Sequence, residues 1–184
     1  MKTRNIAVTL LAFALTLGAC KSDKQEDKTG APATELLKAG KVLEPEELIS
    51  KNDAAKLLGE EVQDGKKSET PIVGMKLCMY SAVNPSSRHY IQVSITQDSF
   101  MPRESVNSET IYRELKKMFG GSKREVKELG NDAFIATGGL YLFKDGYYIM
   151  ISSGNTITND QTIATLKEAG KTALDKLDKL EKVR

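Results

Sequence analysis

The chain has 184 residues, 40% apolar and 28% charged, with no Trp, one His and two Cys. That length suits one domain with appendages, and the apolar fraction fits neither a disordered chain nor a polytopic membrane protein. With His89 the only histidine, His-pair chemistry and His-rich metal sites are excluded.

Lys2 and Arg4 open the chain, and residues 6–17 form a twelve-residue apolar run. A bilayer core needs about 20 helical residues, so this run is too short to span one. A basic start followed by a short apolar stretch is the pattern of a secretory signal. Leu17 stands three residues before Cys20, where an ordinary cleavage site wants a small side chain. Leu17-Gly18-Ala19-Cys20 instead resembles a bacterial lipobox, which marks the lipoprotein class. The resemblance implies cleavage before Cys20, a diacylglycerol on its thiol and an acylated amino group. It implies membrane attachment in the cell envelope without a spanning helix, since two or three acyl chains hold where one is marginal. In a bacterium with two membranes, Lys21 after the Cys implies the outer membrane, facing the periplasm.

Removal of residues 1–19 takes Lys2 and Arg4, so 27 basic and 25 acidic residues become 25 of each. The pI of 8.4 therefore comes mostly from the signal, and the neutral mature chain has no net field to attract nucleic acid. Residues 21–33 read KSDKQEDKTGAPA, with no large apolar side chain. Such a segment cannot bury enough surface to offset its ordering entropy, and the expectation is a disordered leash. Residues 35–40 could form one or two helical turns. The expected division is a signal at 1–19, a lipidated Cys20 and tether to residue 44, and one α+β domain over 45–184.

Ser50 and Asp53 form a capping box for a helix carrying Ala54, Leu57 and Leu58 and ending at Gly59. A strand over 75–83 holds Cys78, the only thiol left after lipidation, and reads as a buried, inert side chain. Asn84-Pro85-Ser86-Ser87 turns the chain into 89–97, where Ile91, Val93 and Ile95 alternate with Tyr90, Gln92, Ser94 and Thr96. Residues 97–107 form a long connection with Phe100 and Met101 among polar neighbours, a candidate contact loop. A second helix over 108–119 lines up Ile111, Leu115, Met118 and Phe119 before Gly120-Gly121.

Gly138-Gly139 and Asp145-Gly146 carry two-residue hairpin chemistry. Taken together they set Ile135 opposite Leu142 and Ile149, Phe134 opposite Phe143 and Tyr148, and Ala136 opposite Tyr141 and Met150. One face then holds Ile135, Leu140, Leu142, Ile149 and Ile151. The other holds Phe134, Tyr141, Phe143, Tyr148 and Met150, the candidate binding face for a protein or a small apolar ligand. Either helices cover both faces, or the aromatic face is open and binds something. A third helix from near 158 to 180 presents Ile163, Leu166, Gly170, Ala173, Leu177 and Leu180 as its stripe. The expected fold is an antiparallel sheet of five to six strands with three helices.

No G-x-S-x-G, Walker loop, C-x-x-C or H-E-x-x-H occurs, and no metal or cofactor is expected. His89 beside Arg88 could bond a ligand or a backbone carbonyl. The domain is similar to small bacterial envelope lipoproteins of unassigned activity, through Ala54–Gly59 with Cys78-Met79-Tyr80 and through Leu129-Gly130-Asn131-Asp132-Ala133. Those proteins often add a second Cys near the first helix, which this chain lacks. Three functions stay open: a non-enzymatic binding or adaptor module, a structural or assembly lipoprotein without a ligand site, and an enzyme using Cys78 or His89.

Overall fold

A computed structural model describes residues 41–154 and 159–182. The signal, Cys20, most of the tether and the turns considered for 35–40 lie outside them. The first described residues are already part of the fold. Leu43 is wholly buried, and the Gln97 side chain grips its backbone like a neighbouring strand. Leu43 N–H donates to Gln97 Oε1 at 2.8 Å, and Gln97 Nε2 donates to the Leu43 carbonyl at 2.8 Å. Ser99 Oγ donates to the Lys41 carbonyl at 3.0 Å. Sequence alone assigns Leu43 to the tether; in the structure it belongs to the core.

Helix α1 (Pro45–Leu48) is a single turn with Pro at its start, where the missing N–H costs nothing. Helix α2 (Lys51–Leu58) starts at the expected capping box: Ser50 N–H donates to Asp53 Oδ2 at 2.8 Å, and Asp53 N–H donates to Ser50 Oγ at 3.3 Å. Gly59 ends it with φ of 71°. Strands β1 (Lys66–Thr70), β2 (Met75–Ser81) and β3 (Tyr90–Gln97) form one meander. Helix α3 (Ser108–Phe119), capped by Asn107 Oδ1 on Thr110 N–H at 2.8 Å, leads to a second meander. That meander comprises β4 (Arg124–Glu125), β5 (Asp132–Ala136), β6 (Gly139–Lys144) and β7 (Tyr147–Ser152). Pairing of β3 with β7 joins them into one antiparallel seven-stranded sheet, ordered β1-β2-β3-β7-β6-β5-β4. Helix α4 (Asp160–Lys182) closes the chain, with Asn159 Oδ1 accepting from Thr162 N–H at 2.8 Å.

The class is α+β, as the patterning indicates, with seven strands where five to six are expected. The two outermost strands carry no apolar alternation. β1 reads Lys-Lys-Ser-Glu-Thr and is exposed along most of its length, and β4 has only two residues. Charge on one edge and brevity at the other blunt both against pairing with a second sheet.

The β6–β7 register is as expected, with Leu142 opposite Ile149 and Phe143 opposite Tyr148. The β5–β6 register is shifted by two: Phe134 faces Tyr141 rather than Phe143, and Ala136 faces Gly139. Thr137 and Gly138 make that turn, and Gly139 sits inside the strand, where a Cβ would lie 2.5 Å from the Ile151 carbonyl oxygen. A shift of two leaves every side chain on its own face.

The aliphatic face of the sheet is the main core. Helices α1, α2 and α4 lie on it, contributing Leu48, Ala54, Leu166, Ala169, Ala173 and Leu177 against Ile91, Val93, Ile95, Leu140, Leu142, Ile149 and Ile151. On the opposite face α3 packs Tyr112, with Ile111, Leu115 and Phe119, against Phe134, Tyr141, Phe143, Tyr148 and Met150.

Candidate functional site

The candidate binding face is covered. Phe134 is 0% exposed, Tyr141 and Tyr148 are buried, and Phe143 and Met150 are half-buried. Phe134 and Tyr141 stack with centroids 4.9 Å apart and planes 4° from parallel. Tyr112 lies 5.5 Å from Phe143 and 5.6 Å from Tyr148, and Phe119 lies 5.0 Å from Tyr141. Of the two readings of this layer, the structure has the covered one, because α3 carries aromatic side chains matching the rings below. The sequence signal was present in Tyr112 and Phe119, one helical face apart by two turns.

The candidate contact loop also turns inward. Met101 is wholly buried beneath Gly74, whose φ of 63° and missing side chain make room: a Cβ there would fall 2.4 Å from Met101 Cγ. Phe100 is half-buried with Lys76 Nζ 4.8 Å from its ring centroid. Lys76 bonds Glu44 Oε1 at 2.6 Å and Glu69 Oε1 at 2.8 Å. Burial disfavours its charge, but the two carboxylates outweigh burial and hold its pKa above the ordinary lysine value. Phe100 and Met101 therefore have a packing reason, whereas Val106 at the end of the same connection is exposed.

Cys78 is 0% exposed on the core side of β2, against Gly65 and Tyr80. Burial pushes its thiol above the ordinary value, away from thiolate reactivity. His89 is on the surface, its Nδ1 2.6 Å from Glu60 Oε1, to which Ser87 Oγ also donates at 2.9 Å. Neither alternative raised for His89, a ligand or a backbone carbonyl, describes this contact: the partner is a carboxylate 29 positions away in sequence. The hydrogen bonds from His89 and then Ser87 hold the Glu60 pKa low. The contact is an imidazole–carboxylate pair, and no hydrogen bond joins His89 to Cys78 among the described residues.

His89 helps line a small pocket of about 180 Å³ with Leu57, Leu58, Ser153, Gln161 and Thr165. Leu57, Gln161 and Thr165 are shared with a wider open groove of about 430 Å³ between α2 and α4. Lys176 pairs with Asp53 across those helices. Among the described residues, no group of three His, Cys, Asp or Glu could hold a metal ion, and no helix is long and apolar enough to cross a membrane.

The uncovered part of the aromatic-side face lies over the first meander. Pairing places Met75, Leu77 and Met79 of β2 on that side, beside Ser94 and Thr96 of β3, which are buried, and half-buried Met150 of β7. Met75, Leu77 and Met79 are half-buried, whereas Lys76, Cys78 and Tyr80 between them are buried on the other side. This strip escaped the sequence reading because its alternation identifies a strand without saying which side a helix will cover. Comparison with protein-family models, curated proteins and solved structures finds no match to the chain.

Proposed function

We propose that the chain is a lipid-anchored envelope lipoprotein whose domain acts as a non-enzymatic binding or adaptor module. The observation that carries this reading is Leu17-Gly18-Ala19-Cys20 behind a twelve-residue apolar run, followed by thirteen residues without a large apolar side chain. Acyl chains at Cys20 confine the domain to a bilayer surface, and in a bacterium with two membranes Lys21 points to the outer one. The surface best suited to a protein partner is the β2 strip of Met75, Leu77 and Met79, since methionine adapts to irregular apolar contacts. Cys20→Ser is expected to release the protein from the membrane fraction and to remove the acyl mass from its N-terminal peptide. Continued membrane association of that variant would refute the anchor.

A second reading, a structural or assembly lipoprotein with no ligand site, is favoured by the burial of Phe134, Tyr141 and Tyr148 under α3. A photo-crosslinking residue at position 79 in the lipidated protein separates the two. Capture of a defined envelope partner supports the adaptor, and an unmodified protein in intact envelopes supports the structural reading.

A further inference from the structure

Five large apolar side chains are exposed among the described residues, and three of them gather at one end of the sheet. Ile72 is 67% exposed and Val73 38%, both in the turn Pro71–Val73 between β1 and β2. Val106 is 59% exposed, and its neighbour Ser105 donates from Oγ to the Ile72 carbonyl at 3.4 Å. The chain enters the fold at this same end. Gln97, whose N–H donates to the Gly74 carbonyl at 3.0 Å, also grips Leu43, and Ser99 holds the Lys41 carbonyl.

We infer that this end is a second contact with the lipid bilayer, in which Ile72, Val73 and Val106 enter the headgroup boundary beside the anchor. The inference rests on the lipid-anchor reading. Cys20 precedes Lys41 by 21 residues, so chain length alone bounds how far the anchor can lie from the domain. The anchor thus keeps the entry end of the domain, with its three apolar side chains, close to the bilayer. A contact too weak to bind free protein is filled at the high effective concentration that a short tether creates. The contact is apolar in character: Arg103 stands next to Glu104, and Lys41 pairs with Glu47 at 3.4 Å, so no cationic cluster flanks it among the described residues. Val83, in the connection between β2 and β3, is exposed at the opposite end of the same strands and supplies an internal control.

The test uses the full lipidated chain carrying Ile72→Cys, Val106→Cys or Val83→Cys, each labelled with an environment-sensitive fluorophore on phosphatidylcholine vesicles. Cys78 is buried and does not compete for label in the native protein. Nitroxide-bearing lipid is expected to quench positions 72 and 106 about twofold or more over position 83. The same ratio is expected when phosphatidylglycerol replaces part of the lipid. Protein that floats with the vesicles but shows equal quenching at 72 and 83 overturns the inference and leaves the anchor standing. Protein that fails to float removes the anchor and the inference together. A signal at 72 that follows protein density and ignores the lipid quencher assigns the patch to a second copy of the chain, which also overturns it.

Discussion

The two faces of the sheet are covered in different ways. On one, three helices lie over an aliphatic layer, and α4 can approach closely because Ala169, Gly170 and Ala173 line its inner face. On the other, α3 stands on a few large rings over β5 to β7, and the neighbouring strip of β2 is only half-buried. The first arrangement spreads burial over more than twenty side chains, most of them aliphatic. The second concentrates it in a handful of aromatics. A core of many small contributions tolerates a single truncation better than one hung on a few rings, because the cavity left by a ring collapses less completely.

The largest expected effect follows from that contrast. Phe134 is 0% exposed and touches Tyr112, Phe119 and Tyr141. Phe134→Ala is expected to destabilise the domain by about 4 kcal/mol, and Met79→Ala on the uncovered strip of the same face by well under about 1 kcal/mol. Urea unfolding of the two variants checks the difference. Equal costs would mean that something covers the β2 strip as firmly as α3 covers β5 to β7.

Next in size is the joint between the entering chain and the aliphatic face. Gln97→Ala leaves the Leu43 N–H and carbonyl buried without partners, at an expected cost of about 3 kcal/mol. Its companion readout is local. Protease cleavage near residues 41–44 should accelerate more than the global stability loss explains, since this clip holds the backbone of the segment at its centre, between the Ser99 and Lys76 contacts to Lys41 and Glu44.

The clip also shows where sequence reading stops. The alternation over Tyr90–Gln97, the capping box at Ser50 and Asp53, and the Asp145-Gly146 turn each depend on residues near one another in the chain, and each appears as expected. Gln97 looks like the last polar residue of a strand, and its role depends on Leu43, 54 positions away. β1 was invisible because an exposed edge strand has no buried side to alternate with. Gly138-Gly139 reads as the turn itself, whereas Thr137 and Gly138 make it and Gly139 lies in the strand, where a Cβ would meet the Ile151 carbonyl. The apolar end is legible only in three dimensions, since Ile72, Val73 and Val106 come from separate connections. Cys20 is the reverse case, carried wholly by sequence.

A mid-sized effect is expected where α2 and α4 meet above the aliphatic face. Asp53 closes the capping box with Ser50 and pairs with Lys176. Burial opposes its charge, but hydrogen bonds from Lys176 and Ser50 prevail and hold its pKa below the ordinary value. A carboxyl with a lowered folded-state pKa stabilises the fold above its unfolded pKa, about 3.9, and loses that stabilisation as pH falls through the folded value. Asp53→Ala is expected to cost about 2 kcal/mol at neutral pH, about half from the lost Ser50 N–H bond to the Asp53 carboxylate, while the Ser50 Oγ cap on the backbone of residue 53 remains. The gap between wild type and variant should close as the pH is lowered below about 4. A gap that stays constant down to strong acid would show that the carboxylate charge is not what stabilises the joint.

The smallest effect returns to the aromatic face, at the centre of α3. Tyr112 is 1% exposed among Phe134, Phe143 and Tyr148, and its buried hydroxyl has no hydrogen-bond partner among the described residues. Burial, and then the charge of Asp132, hold that hydroxyl protonated far above the ordinary tyrosine range. Asp132 is itself occupied, bound through both carboxylate oxygens by Lys116 Nζ at 2.7 and 2.8 Å. An unpaired hydroxyl in an apolar site costs about 1 kcal/mol or more of desolvation that a phenyl ring does not. Tyr112→Phe keeps the ring contacts and removes the stranded oxygen, so the domain is expected to gain up to about 1 kcal/mol. The Tyr141 hydroxyl, which donates to the Thr137 carbonyl at 3.1 Å, stays satisfied in that variant. A loss of stability in this variant would place a hydrogen bond between Tyr112 and Asp132, and would make α3 a helix oriented by polarity as well as by its rings.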